Sequence, residues 1–113
     1  MLSWKEPEKT VDGVLTPGKK QIVLVANGDR RRTANIACQV AQLECEHQLR
    51  QAFAHQGYEL LRAHPEVDPS LGHGFIETQA QGRDVFARIP SDAPLVVAEA
   101  VWQYSNHVVY NLW

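Results

Sequence analysis

The chain has 113 residues, 44% of them hydrophobic, with 11 Lys or Arg against 13 Asp or Glu and a net charge of −2. That size holds one domain, able to bury about two-thirds of the surface its unfolded chain exposes. The balanced charge leaves no excess of cations to neutralise a phosphate backbone, so no nucleic-acid partner is expected. No apolar stretch approaches the roughly 20 residues of a membrane span, and Met1 to Lys20 lacks the apolar centre of a signal peptide. The expectation is a cytoplasmic protein with no membrane contact.

Residues 1–20 mix Lys, Glu, Pro and Gly with isolated apolar residues and close on Pro17-Gly18. This pattern predicts a loosely ordered N-terminal arm. Trp4, Val11, Val14 and Leu15 are the residues of the arm that a neighbouring surface would take up. The folded domain is expected over residues 21–113.

The apolar run Ile22 to Ala26, the turn at Asn27-Gly28 and the helical stretch up to Gly57 describe one β-turn-α-β unit. Thr33 is the expected N-cap and Gly57 the C-terminal stop. Two apolar stripes run along this helix: Cys38, Ala41, Cys45, Leu49 and Ala52, and nearly opposite them Ile36, Val40 and Leu43. The first is expected to pack on the sheet, and the second implies a further layer. Cys38 and Cys45 lie about 10 Å apart along such a helix, too far for a disulfide, and are expected to be reduced, small apolar residues. His47 and His55 are ordinary helix residues.

Tyr58 to Ala63 reads as the second strand. The loop 66–74 follows, then a second helix over about residues 75–88 with Phe75, Phe86 and Ile89 on one face. Leu95 to Ala98 is apolar without alternation, as in a parallel strand covered on both faces. The chain is therefore predicted to be α/β, a flavodoxin-like, Rossmann-like three-layer unit with parallel strands in the order 2-1-3. In that order the third strand is an unprotected apolar edge, and only residues 99–113 follow it. The unit thus reads as incomplete, a fragment or a chain that needs a partner.

Ligands of such sheets bind outside the carboxyl ends of the strands, where the strand order reverses. The two loops there are 27–33, which carries Arg30, Arg31 and Arg32 beside a helix N-terminus, and 99–107, which carries Glu99, Trp102, Gln103, Tyr104, Asn106 and His107. Guanidinium forks suit an anionic or polyhydroxyl ligand, and aromatic planes beside amide and carboxyl groups suit a sugar. Read structurally, the same arginines form a solvated or subunit-contacting patch, and Trp102 and Tyr104 pack in an interface. His64, His73 and His107, with Asp68 or Glu99, would meet at one sheet edge and offer metal ligands, although their spacing matches no standard metal signature. There is no glycine-rich dinucleotide loop, no Walker lysine loop and no nucleophile-elbow serine.

Several segments taken together resemble a known family. They are Asn27-Gly28-Asp29-Arg30-Arg31-Arg32, the long helix with Gln42-Leu43-Glu44, Arg62-Ala63-His64-Pro65, Gly72-His73-Gly74-Phe75-Ile76, and Ala93 to His107. Over about residues 20–112 the chain is similar to the N-terminal domain of L-fucose and L-arabinose isomerase-type proteins. The resemblance implies an aldose–ketose isomerase that uses Mn2+ held by later domains. It also implies a sugar pocket at a subunit interface of a homo-oligomer, to which Arg30, Arg31, Arg32 and Trp102 contribute. No catalytic or metal-binding residue is expected in this chain, which alone is expected to be inactive. The rival readings are a module that senses a small ligand without turnover and a structural α/β module.

Overall fold

The computed structural model describes residues 14–101. Five elements follow one another: β1 (Gln21–Ala26), α1 (Arg32–His55), β2 (Glu59–Arg62), α2 (Gln79–Phe86) and β3 (Leu95–Ala98). The strands are all parallel, in the order β2-β1-β3, so the sheet is open and its order reverses at β1. This is the flavodoxin-like arrangement expected from the sequence.

Strand alternation sorts the core into two layers. Val23, Val25, Leu95 and Val97 face one side, where they meet Leu15, Ala63, Ile76, Val85, Phe86 and Ile89. Ile22, Leu24, Val96 and Ala98 face the other, against Leu60, Leu49 and Phe53. The register is set by Val23 opposite Leu95 and Leu24 opposite Val96. Leu15, placed by the sequence in a loose arm, is fully buried, and its N–H donates to the Arg88 carbonyl at 2.6 Å.

The end of α1 agrees with the sequence. Gly57 takes φ +83°, a conformation that costs glycine nothing, and closes a Schellman motif with Gly57 N–H on Ala54 O and Tyr58 N–H on Phe53 O. Its start does not. The N-cap is Arg31, which makes no side-chain cap, and Thr33 is exposed on the first turn. The cause is Asn35, whose side chain accepts from Asp29 N–H at 2.8 Å and donates to Asp29 O at 2.7 Å, tying the preceding loop to the helix.

The buried face of α1 meets expectation in part: Cys38 and Leu49 pack on the sheet, but the most deeply buried residues are polar. Its buried residues are Asn35, Gln42 and Glu46, while Val40 is 81% and Ile36 48% exposed, and Ala41 and Ala52 lie at the surface. Polar residues win this face because β2 presents Arg62 to it, 2% exposed. Arg62 binds both carboxylate oxygens of Glu46, at 2.8 and 3.1 Å. Gln42 in turn donates to Glu46 at 2.8 Å and to Ala98 O at 3.2 Å, and accepts from Ala100 N–H at 2.8 Å. A charge so deep is tolerated because the guanidinium and carboxylate atoms of the pair are themselves hydrogen-bonded.

The second helix is shorter than predicted. Residues 75–77 are not helical; they extend β2's side of the sheet, with Ile76 bridging Asn27 in parallel. The helix starts at Thr78, which forms a capping box with Gln81. Phe75 therefore packs with Ala26 and Val101, away from Phe86 and Ile89.

Candidate functional site

The carboxyl end of β1 sits where the strand order reverses, with β3 on one side and residues 75–77 on the other. Asn27, 2% exposed, donates from Nδ2 to Glu99 Oε2 at 3.3 Å, which links the ends of β1 and β3. Asp29, equally buried, accepts from the Arg31 side chain. Gly28 is obligatory for close packing: a Cβ there would lie 2.4 Å from the Phe75 Cβ and 2.9 Å from the Ile76 carbonyl oxygen.

Arg32 reaches across to Glu77, with Nη2 and Nε at 2.7 and 3.1 Å from Oε1. The other Glu77 oxygen lies 2.9 Å from His73 Nε2. Because His73 Nδ1 accepts from Phe75 N–H at 3.0 Å, the ring proton is on Nε2 and is donated to Glu77. Burial pushes the Glu77 carboxyl up, but the bonds from Arg32 and His73 outweigh it and hold the group below the usual carboxylate range. Arg32 is raised in turn, by its hydrogen bond to Glu77. Asp68 is held low by the Ser70 hydroxyl and N–H.

The three arginines are therefore not equivalent. Arg31 and Arg32 are each held by a buried carboxylate, whereas Arg30 is exposed and makes no ion pair or hydrogen bond among the described residues. Trp102, with Gln103, Tyr104, Asn106 and His107, lies outside the described residues. Glu77 belongs to the site although the sequence reading did not place it there, whereas Asp29 lies in the expected 27–33 loop and His73 was among the histidines expected at the sheet edge. His73 and Glu77, four apart just before a capping box, were the available signal.

His64 and His73 both line a depression of about 180 Å3 on the α2 side, together with Asp68, Gln81 and Asp84 over Phe75, Ile76 and Val85. Their rings are already committed, His73 as above and His64 to Ala26 N–H at 3.1 Å. Among the described residues no group of three or more His, Cys, Asp or Glu is placed to hold a metal ion. Cys38 and Cys45 are free thiols, half-buried. No described helix is long and apolar enough to cross a membrane. The chain matches no family model, no curated protein and no solved structure.

Proposed function

We propose that the carboxyl edge of this sheet binds a sugar, as the N-terminal domain of an L-fucose or L-arabinose type isomerase would, with Arg30, Arg31, Arg32 and Trp102 as substrate-proximal residues. The observation that carries this reading is the collection of polar groups at the strand-order reversal. Asn27, Asp29, Glu77 and Glu99 supply an amide and three carboxylates, and Arg30, Arg31 and Arg32 balance them in charge. Of these groups the three arginines and Glu99 are exposed, while the buried Asn27, Asp29 and Glu77 offset the charge from behind, so the edge presents donors and an acceptor without a strong net field, which suits hydroxyl groups better than an anion. In this reading the chain works in the cytoplasm, within a homo-oligomer or beside further domains. The isomerase chemistry, with its Mn2+, belongs to residues outside this sequence.

A backbone NMR titration with L-fucose and L-arabinose tests it. Shifts are expected at Gly28 to Arg32, and Arg30→Ala should weaken binding several-fold while leaving the fold intact. Shifts scattered away from the 27–32 loop, or none, would refute it. With Mn2+ added, the 113-residue chain should bind without interconverting aldose and ketose; turnover would sink the assignment of catalysis to other domains.

One observation favours the structural reading. β3 carries neither charge nor proline and, among the described residues, has β1 as its one strand neighbour, whereas the opposite edge strand β2 carries Glu59 and Arg62. In that reading β3 pairs with a strand of another subunit. Sedimentation together with the sugar titration separates the two: sugar binding at the 27–32 loop supports the first in either assembly state, and an oligomer that binds no sugar supports the second.

A further inference from the structure

On the β2 side of β1, the ladder reaches Ala63, whose N–H donates to Leu24 O at 2.9 Å, and resumes at Ile76, whose N–H donates to Ala26 O at 2.9 Å. Between these two bonds the N–H of Ala26 needs an acceptor, because Ala26 is fully buried. No strand supplies one. The Ala63 carbonyl, next in the ladder, instead receives Arg88 Nη2 at 3.2 Å. The acceptor is His64 Nε2, at 3.1 Å, so an imidazole stands in for a backbone carbonyl.

The ring has no room for a second proton. Nε2 faces the Ala26 N–H, and Nδ1 lies 3.2 Å from Arg62 Nη1, itself a donor to the carbonyls of His64 and Pro65 at 2.8 and 2.6 Å. The neutral ring, accepting at Nε2, carries its one proton on Nδ1, so a second proton could go only on Nε2, where it would oppose the Ala26 N–H and add a cation beside Arg62. The other charged groups around it are Arg88 beyond α2, Asp84 on α2, Asp68 and His73 in the loop, and Glu46 of α1 behind Arg62. Of these, Glu46 is already matched to Arg62, and Asp68 is engaged by Ser70.

We propose that His64 is a pH-operated latch: neutral, it completes the β1 ladder and holds residues 64–77 against the sheet, and protonated, it releases them. The released segment includes Glu77, so acid also frees Arg32 from its carboxylate. In the closed state the ring resists protonation, first through burial and then through Arg62 and Arg88; in the open state it titrates near its ordinary value of 6.5. The open fraction therefore rises about tenfold for each pH unit below about 6.5, until the closed ring itself protonates.

Amide hydrogen exchange by NMR between pH 7.5 and 5, corrected for intrinsic rates, tests the latch. The amides of Ala26 and Ile76 should lose protection about tenfold per pH unit below about 6.5, while Val23, bonded to Pro94 O on the β3 side, keeps its own. His64→Gln presents a carbonyl acceptor that does not titrate and should flatten the dependence. Parallel loss at Val23, or constant protection at Ala26, overturns the proposal. If His64→Gln does not fold, the ring 15N shifts of the wild-type chain decide: a neutral His64 at pH 7 with Nε2 unprotonated upholds the latch, and an imidazolium there refutes it.

Discussion

The two faces of the sheet solve the same packing problem with opposite chemistry. Beneath α2 the contact is apolar, built from Leu15, Val23, Val25, Ile76 and Val85. Beneath α1 a polar seam of Asn35, Gln42, Glu46 and Arg62 runs between flanking apolar residues such as Leu24, Leu49 and Phe53. The apolar face gains stability in proportion to area and tolerates substitutions of similar size. The polar face gains little net stability from its ion pair yet is unforgiving of any single loss, because each member satisfies another. What it provides is position: Arg62 also donates to the carbonyls of His64, Pro65 and Gly74, and Gln39 grips Glu66 O and Gly74 N–H, so this face holds the loop from which His73 and Glu77 project.

The largest expected effect tests that contrast. Glu46→Ala leaves a buried guanidinium without its carboxylate and should cost about 3–5 kcal/mol in urea melts, whereas replacing both partners, Glu46→Leu with Arg62→Met, should recover most of the loss. A double variant as unstable as the single one would show that the seam contributes more than mutual neutralisation. On the apolar face, Leu15→Ala should cost about 2–5 kcal/mol. A negligible cost would contradict its place in the core.

Acid should separate the faces as well. The His64 value is lower folded than unfolded, so the unfolded chain binds the extra proton, and stability falls as pH drops below about 6.5, by at most about 1.4 kcal/mol per unit. Glu77 and Asp68 are depressed from 4.5 and 3.8, so their contributions are present above those values and are lost as pH falls through their lower folded ones. Denaturation midpoints measured from pH 8 to 3 should thus decline in two stages. A flat profile between pH 7 and 5 would remove His64 from the account. The smallest effect belongs to the start of α2, where Thr78→Ala breaks the capping box at a cost of about 1 kcal/mol; Thr78→Asp should restore most of it.

Reading the sequence succeeded where a residue's local chemistry decides its conformation. Ile22 to Ala26 and Leu95 to Ala98 are apolar enough to be strands covered on both faces, and Gly57, just past the apolar-periodic stretch, takes the left-handed conformation that ends α1. On α1 the apolar pattern places Cys38 and Leu49 on the sheet but misses the polar residues between them, because periodicity assumes that the buried face is the apolar one. Here the most deeply buried residues are polar, and nothing local to Asn35, Gln42 or Glu46 announces a partner on β2. The same holds at the site: three adjacent arginines look alike in sequence, and only Asp29 and Glu77, brought from the loop and from residues far along the chain, make two of them bound and leave Arg30 exposed.

The order of elements and the 2-1-3 sheet followed from hydrophobic pattern, glycine placement and the handedness of parallel crossovers, which are properties of short segments. The pairing of Arg62 with Glu46, the extended run at 75–77 and the use of His64 as a strand acceptor were decided only by tertiary structure. Each answers a need that arises when distant segments meet in a space without water: every buried donor and charge there must find its partner, wherever in the chain that partner lies.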